Sequence, residues 1–69
     1  MIDTNNLGRN IANARKQSGL TQNDLATRVG VTAQAVSKWE RGIACPDIAI
    51  LDEIANALGI SLFELLGVE

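Results

Sequence analysis

Sixty-nine residues with 46% apolar content make one small domain, whose single core can offset chain entropy only if about ten leucine- or isoleucine-sized positions are buried at roughly 1.5–3 kcal/mol each. A single cysteine and no histidine exclude an internal disulfide and a zinc site. With no long apolar run and no basic leader before an apolar segment, neither a membrane span nor a signal peptide is read, and a soluble, cytoplasmic chain without metal or cofactor is expected. The net charge of −2 is divided unevenly: all six basic residues fall within residues 1–41, which carry +3, and the remainder carries −5 with no base. The total argues against a nucleic-acid partner, whereas the division allows a positive end to meet phosphate while the acidic end faces away.

In chain order, Leu7, Ile11 and Ala14 recur at helical spacing and predict a first helix over about residues 5–17. It is closed by Ser18-Gly19, with Arg15 and Lys16 in its last turn where cations favour the dipole. Thr21 caps a second helix over about 22–29, and Asp24 can reach back to complete a capping box. Gly30 can stop that helix in the left-handed conformation, and Thr32 caps a third helix over about 33–41 with Ala35, Val36 and Trp39 turned inward. Gly42 to Pro46 is the one clear loop, in which Cys45 reads as a small filler. Pro46 and Asp47 open a fourth helix over about 47–58, with Ile48, Leu51, Ile54, Ala55 and Leu58 as its buried stripe. Ser61 and Glu64 form a second capping box for a short helix over about 62–66. Its neighbourhood holds more apolar side chains (Ile60, Leu62, Phe63, Leu65, Leu66) than one inward face can use. The expectation is an all-α, compact five-helix fold in a single domain spanning residues 1–69.

The connection Gly30-Val31-Thr32 is too short for anything but a steep crossing of the second and third helices, with the small Ala26 where the backbones approach. That is the helix-turn-helix pattern, in which the second helix of the pair enters the DNA major groove. The ordered residues Leu7-Gly8, Ile11, Arg15, Gly19-Leu20-Thr21-Gln22, Leu25-Ala26, Gly30-Val31, Val36 to Gly42, Leu51, Ile54-Ala55 and Leu58 to Ser61 make the chain resemble the phage-repressor and Cro type, also called the xenobiotic-response-element family. The match covers residues 7 to 66 or so, and it implies a lambda-repressor-like fold.

On that resemblance the outward face of the third helix reads DNA. Gln34 offers a donor and an acceptor, which suits the N6 and N7 edge of adenine. Lys38 only donates, to guanine O6 or N7 or to a phosphate, and Ala33 suits a thymine methyl. Ser37 and Thr32 are candidate hydroxyl donors to base or phosphate, and Arg41 is placed on the backbone. The resemblance also implies phosphate contacts by Gln22 at a helix N-terminus and by the main chain of Gly42 and Ile43. It implies an ion pair between Arg15 and Glu40 that orients the third helix, and a dimer patch of Leu62 with Leu65. Double-stranded DNA with a palindromic operator, bound by a homodimer whose half-sites are one helical turn, roughly 34 Å, apart, is the partner expected. The competing reading is a protein-interaction module that kept the fold and lost DNA binding, motivated by the acidic balance and the apolar fifth helix. An enzyme is the poorest option, since no metal cluster, phosphate loop or histidine base is present in the sequence.

Overall fold

The computed structural model describes residues 3–67. Within them the order is α1 (Thr4–Gln17), α2 (Gln22–Val29), α3 (Ala33–Glu40), α4 (Ile48–Leu58) and α5 (Leu62–Leu66), with no strand among the described residues. Three boundaries differ by one residue from the pattern in the sequence, each beside a capping residue. The Asp3 carboxylate accepts from the amides of Asn5 and Asn6, so α1 starts at Thr4 and not at Asn5. Arg41 is the C-cap of α3, and Asp47 stands before α4 as its N-cap without a side-chain cap bond.

Local chemistry fixes the sharp corner between α2 and α3. Thr21 and Asp24 exchange hydrogen bonds, the Asp24 amide to the Thr21 hydroxyl at 3.0 Å and the Thr21 amide to the Asp24 carboxylate at 2.9 Å. Donation from the Thr21 backbone, with a smaller effect of the Thr21 hydroxyl, holds the Asp24 carboxyl below its ordinary range. Gly30 takes φ 76°, and the Val31 amide turns back to the Ala26 carbonyl at 2.9 Å. Only glycine accepts that φ without strain, which is why the turn needs a single residue between the end of α2 and Val31.

The core is continuous across all five helices, and Leu7, Ile11, Leu25, Val36, Ile54 and Leu65 are its largest fully enclosed side chains. Three expectations are corrected here. Ile48 is 79% exposed and takes no part in the buried stripe of α4. As the first residue of that helix it stands beyond the edge of the core; Ile50 packs against the core and Leu51 is the first of the helix to be buried. Leu65 is fully buried and cannot belong to a dimer patch. Asn10 Nδ2 donates to the Leu65 carbonyl at 3.0 Å, a bond that fastens α5 to α1 at the residue whose side chain enters the core. Cys45 is exposed and fills nothing.

Gly8 is the one glycine inside α1, where it costs about 1 kcal/mol relative to alanine in a free helix. Its position explains the choice: a Cβ at Gly8 would overlap the Trp39 carbonyl oxygen and approach that of Glu40 at 3.0 Å. The backbone of α1 therefore lies directly on the C-terminal turn of α3. Replacing Gly8 by alanine is expected to lower stability by about 1–3 kcal/mol through this overlap, against the gain in helix propensity. Urea unfolding checks it: the midpoint should fall with an unchanged slope, and an equal or higher midpoint would mean that the two helices separate without cost.

Candidate nucleic-acid interface

The α2–α3 pair presents a stripe of polar side chains along α3. Gln34, Lys38 and Arg41 are exposed, while Ala33 and Ser37 are half-buried at its edge. Seven residues separate Gln34 from Arg41, so the stripe is about 10 Å long at 1.5 Å per residue, close to three base-pair steps of about 3.4 Å. Val36 and Trp39 anchor the opposite side in the core, at 0% and 6% exposure. With Trp39 enclosed, its indole is unavailable for base stacking and acts as a wedge under the helix.

What holds the stripe in place is a hydrogen-bonded group of three side chains from three helices. Arg15 Nε and Nη2 donate to the two carboxylate oxygens of Glu40 at 2.6 Å and 3.1 Å, and Arg15 Nη1 donates to the Leu20 carbonyl at 2.7 Å. Gln22 Nε2 donates to the same carboxylate at 3.0 Å. Both charged side chains are nearly enclosed, at 11% exposure for Arg15 and 8% for Glu40. The hydrogen bond to Glu40 raises the Arg15 pKa further above its already high ordinary value, so the guanidinium stays charged across any accessible pH. Because Gln22 spends one amide N–H on Glu40, it keeps a single N–H for any outside acceptor. The sequence offered no signal for that bond, since eighteen residues separate the two partners.

Other candidate residues are placed as follows. Thr32 is exposed and its hydroxyl oxygen caps α3 by accepting from the Ala35 amide at 3.2 Å, which leaves its O–H free to donate. Arg41 is turned toward Ser37, Nε donating to the Ser37 carbonyl at 3.3 Å and to its hydroxyl at 3.2 Å. The main-chain roles given to Gly42 and Ile43 are corrected by the geometry. The Gly42 amide donates to Trp39 at 3.1 Å and the Ile43 amide to Lys38 at 3.0 Å, so both are used in closing α3 through the left-handed Gly42 at φ 75°. Main-chain donors without a main-chain acceptor in this region are the Cys45 amide and those at the start of α4, where the Ile50 amide is the first to bond back, to Asp47.

Leu62 is 37% and Phe63 68% exposed on α5, where Leu65 is enclosed. A shallow cleft lined by Arg28, Glu53, Asn56 and Ala57 lies between α2 and α4 and includes no residue of α3. Among the described residues no helix is long and apolar enough to cross a membrane, and no three histidine, cysteine or acidic side chains are grouped to hold a metal ion.

Comparison with known proteins agrees with this geometry. The family model described as helix-turn-helix matches residues 11–65. An uncharacterized HTH-type transcriptional regulator, y4dJ of Sinorhizobium fredii, is 42% identical over 60 residues, covering 87% of this chain and 78% of that protein. Multiprotein-bridging factor 1 of Eremothecium gossypii is 41% identical over 56 residues, but the chain spans only 37% of its length. Among solved structures, the restriction-modification controller protein C.AhdI from Aeromonas hydrophila superposes with a TM-score of 0.86 at 30% identity, over 91% of each chain. Hydroxypropylphosphonic acid epoxidase from S. wedmorenis contains the same fold, TM-score 0.86 at 26% identity, in 35% of its chain.

The enclosed pair generates a clear expectation. Arg15→Met leaves the Glu40 carboxylate with Gln22 as its only side-chain donor, and should cost about 3–5 kcal/mol in urea unfolding, with part recovered in the double variant Arg15→Met, Glu40→Gln. A loss under about 1 kcal/mol would place the pair with ordinary surface ion pairs.

Proposed function

Because the chain belongs to the helix-turn-helix family of transcriptional regulators, we propose that it represses transcription as a homodimer on a palindromic operator, with α3 of each copy in the major groove. The observation that carries this reading is the exposed stripe Gln34–Lys38–Arg41 on a helix locked from behind by Arg15, Glu40 and Gln22. A reading helix must present donors and acceptors at fixed positions, and a lock spanning three helices supplies that rigidity.

Base reading is assigned to Ala33, Gln34, Ser37 and Lys38 by the donor chemistry of their side chains: Gln34 for adenine, Lys38 for guanine, Ala33 for a thymine methyl. The free O–H of Thr32 and the remaining N–H of Gln22 suit phosphate oxygens. Repression follows from occupancy of the operator, in the cytoplasm, with no catalytic step. For the dimer, Leu62 and Phe63 take the place of the enclosed Leu65, since an isologous contact needs apolar side chains that face out. A protein-interaction module is favoured as the second reading by that same exposed phenylalanine together with the −5 charge of the chain beyond residue 41.

Selection of sites from a random duplex library at physiological salt tests the first reading. The folded protein should enrich a paired motif, and Gln34→Ala, Lys38→Ala should lose base preference more than salt-dependent affinity, whose slope is about −0.9 per neutralised phosphate. A folded protein that enriches no motif would overturn it in favour of the interaction module. The dimer patch has its own measurement: Leu62→Ser, Phe63→Ser should keep half-site binding while weakening the paired site by about 10-fold or more, and unchanged paired binding would remove α5 from the interface.

A further inference from the structure

Arg41 stands at the C-cap of α3, and a side chain extended from there would reach past the helix end toward a DNA backbone. Its guanidinium instead turns back along the helix and is held at Ser37, with Nε 3.3 Å from the carbonyl oxygen and 3.2 Å from the hydroxyl oxygen. Four residues at 1.5 Å lift the charged group by about 6 Å, to the level of Ser37 and into the middle of the polar stripe. A guanidinium has two forked edges, and tying Nε to Ser37 uses one of them. The edge made by the two η nitrogens is left, a pair of parallel N–H groups that matches O6 and N7 of guanine. Glu40, the nearest carboxylate in sequence, does not compete for that fork, because its oxygens accept from Arg15 and Gln22.

We infer that Arg41 is a base-reading residue that specifies guanine, and that Ser37 is its positioning residue and makes no base contact of its own. The inference rests on the proposed placement of α3 in the major groove; it reverses the backbone role that the position of Arg41 at the helix end implies, and it replaces the base contact assigned to Ser37 under that proposal.

The test is site selection with the wild-type chain, Arg41→Lys, Ser37→Ala and the double variant, each followed by affinity against salt on the selected duplex. Arg41→Lys keeps the charge and loses the fork, so guanine preference at one position of each half-site should drop by about 5- to 100-fold with the salt slope retained. Ser37→Ala should weaken preference at that same position by about 2- to 5-fold, and should add nothing once Arg41 is lysine. A merely structural serine would instead lower affinity for all sequences alike. Full guanine preference in Arg41→Lys, or a uniform loss across all sequences, overturns the inference while leaving groove reading by α3 intact. A wild-type chain that is folded and selects no motif overturns the proposed function, and this inference with it.

Discussion

The structure depends on one carboxylate. Glu40 lies at the last turn of α3, and it draws Arg15 from α1 and Gln22 from α2 onto itself in a nearly enclosed space. Burying a charge costs several kcal/mol unless its partners satisfy it, and here three side-chain hydrogen bonds do so. The geometry of those bonds ties three helices to one point. Apolar packing alone, through Val36 and Trp39, would hold α3 against the core but leave it freer to slide or rotate, because dispersion contacts have little direction. The ion pair supplies the direction. Its position close behind the exposed stripe, and one residue before Arg41, makes orientation of α3 the natural account of why a charge is enclosed there at all.

The second constraint is closeness. Gly8 lets α1 lie on the carbonyls of Trp39 and Glu40, and that approach brings the start of α1 near enough for Arg15, two turns on, to meet Glu40. The two features are mutually dependent: a larger residue at position 8 would lengthen the distance across which the guanidinium must reach. Small hydrogen bonds distribute the rest of the packing. Asn10 holds the end of α5, and Ser18 donates to the Leu58 carbonyl at 3.3 Å to hold the end of α4. Each satisfies a carbonyl at a helix C-terminus, where helices leave acceptors unpaired.

Much of this was legible in the amino-acid order, because the local signals agree with one another. Thr21 with Asp24, Gly30, Thr32, Gly59, and Ser61 with Glu64 mark element ends by chemistry that acts within four residues, and the structure has them as caps and left-handed turns. What periodicity could not resolve was position at the ends of short helices. Ile48 has the spacing of a core residue but sits in a first turn, beyond the edge of the core, and Leu65 looked like surplus until Asn10 fixed α5. Contacts over long separations were silent in the sequence: Gln22 to Glu40 links residues 18 apart, and nothing near either of them marks it. The amides of Gly42 and Ile43 were misassigned for a related reason. A glycine after a helix signals a left-handed cap, and such a cap consumes the very donors that the loop was expected to offer.

The negative total charge is compatible with the proposed function once bonded charges are set aside. Arg15 and Glu40 cancel each other inside the fold, and Asp24 is engaged in its capping box. Lys38 and Arg41 then stand alone as the charged groups of the α3 stripe, while five acids with no base follow residue 41. On the proposed reading both are given to base edges, which leaves the stripe no cation of its own to neutralise phosphate, where each would add a salt slope of about −0.9. On that reading non-specific attraction to DNA is weak, and the acidic half weakens it further. On the proposed reading, affinity must come from base-edge contacts and from two half-sites bound together, which are the contributions that discriminate among sequences. A mildly acidic chain of this size is thus suited to selectivity more than to tight binding, because little of its binding energy is given to DNA of the wrong sequence.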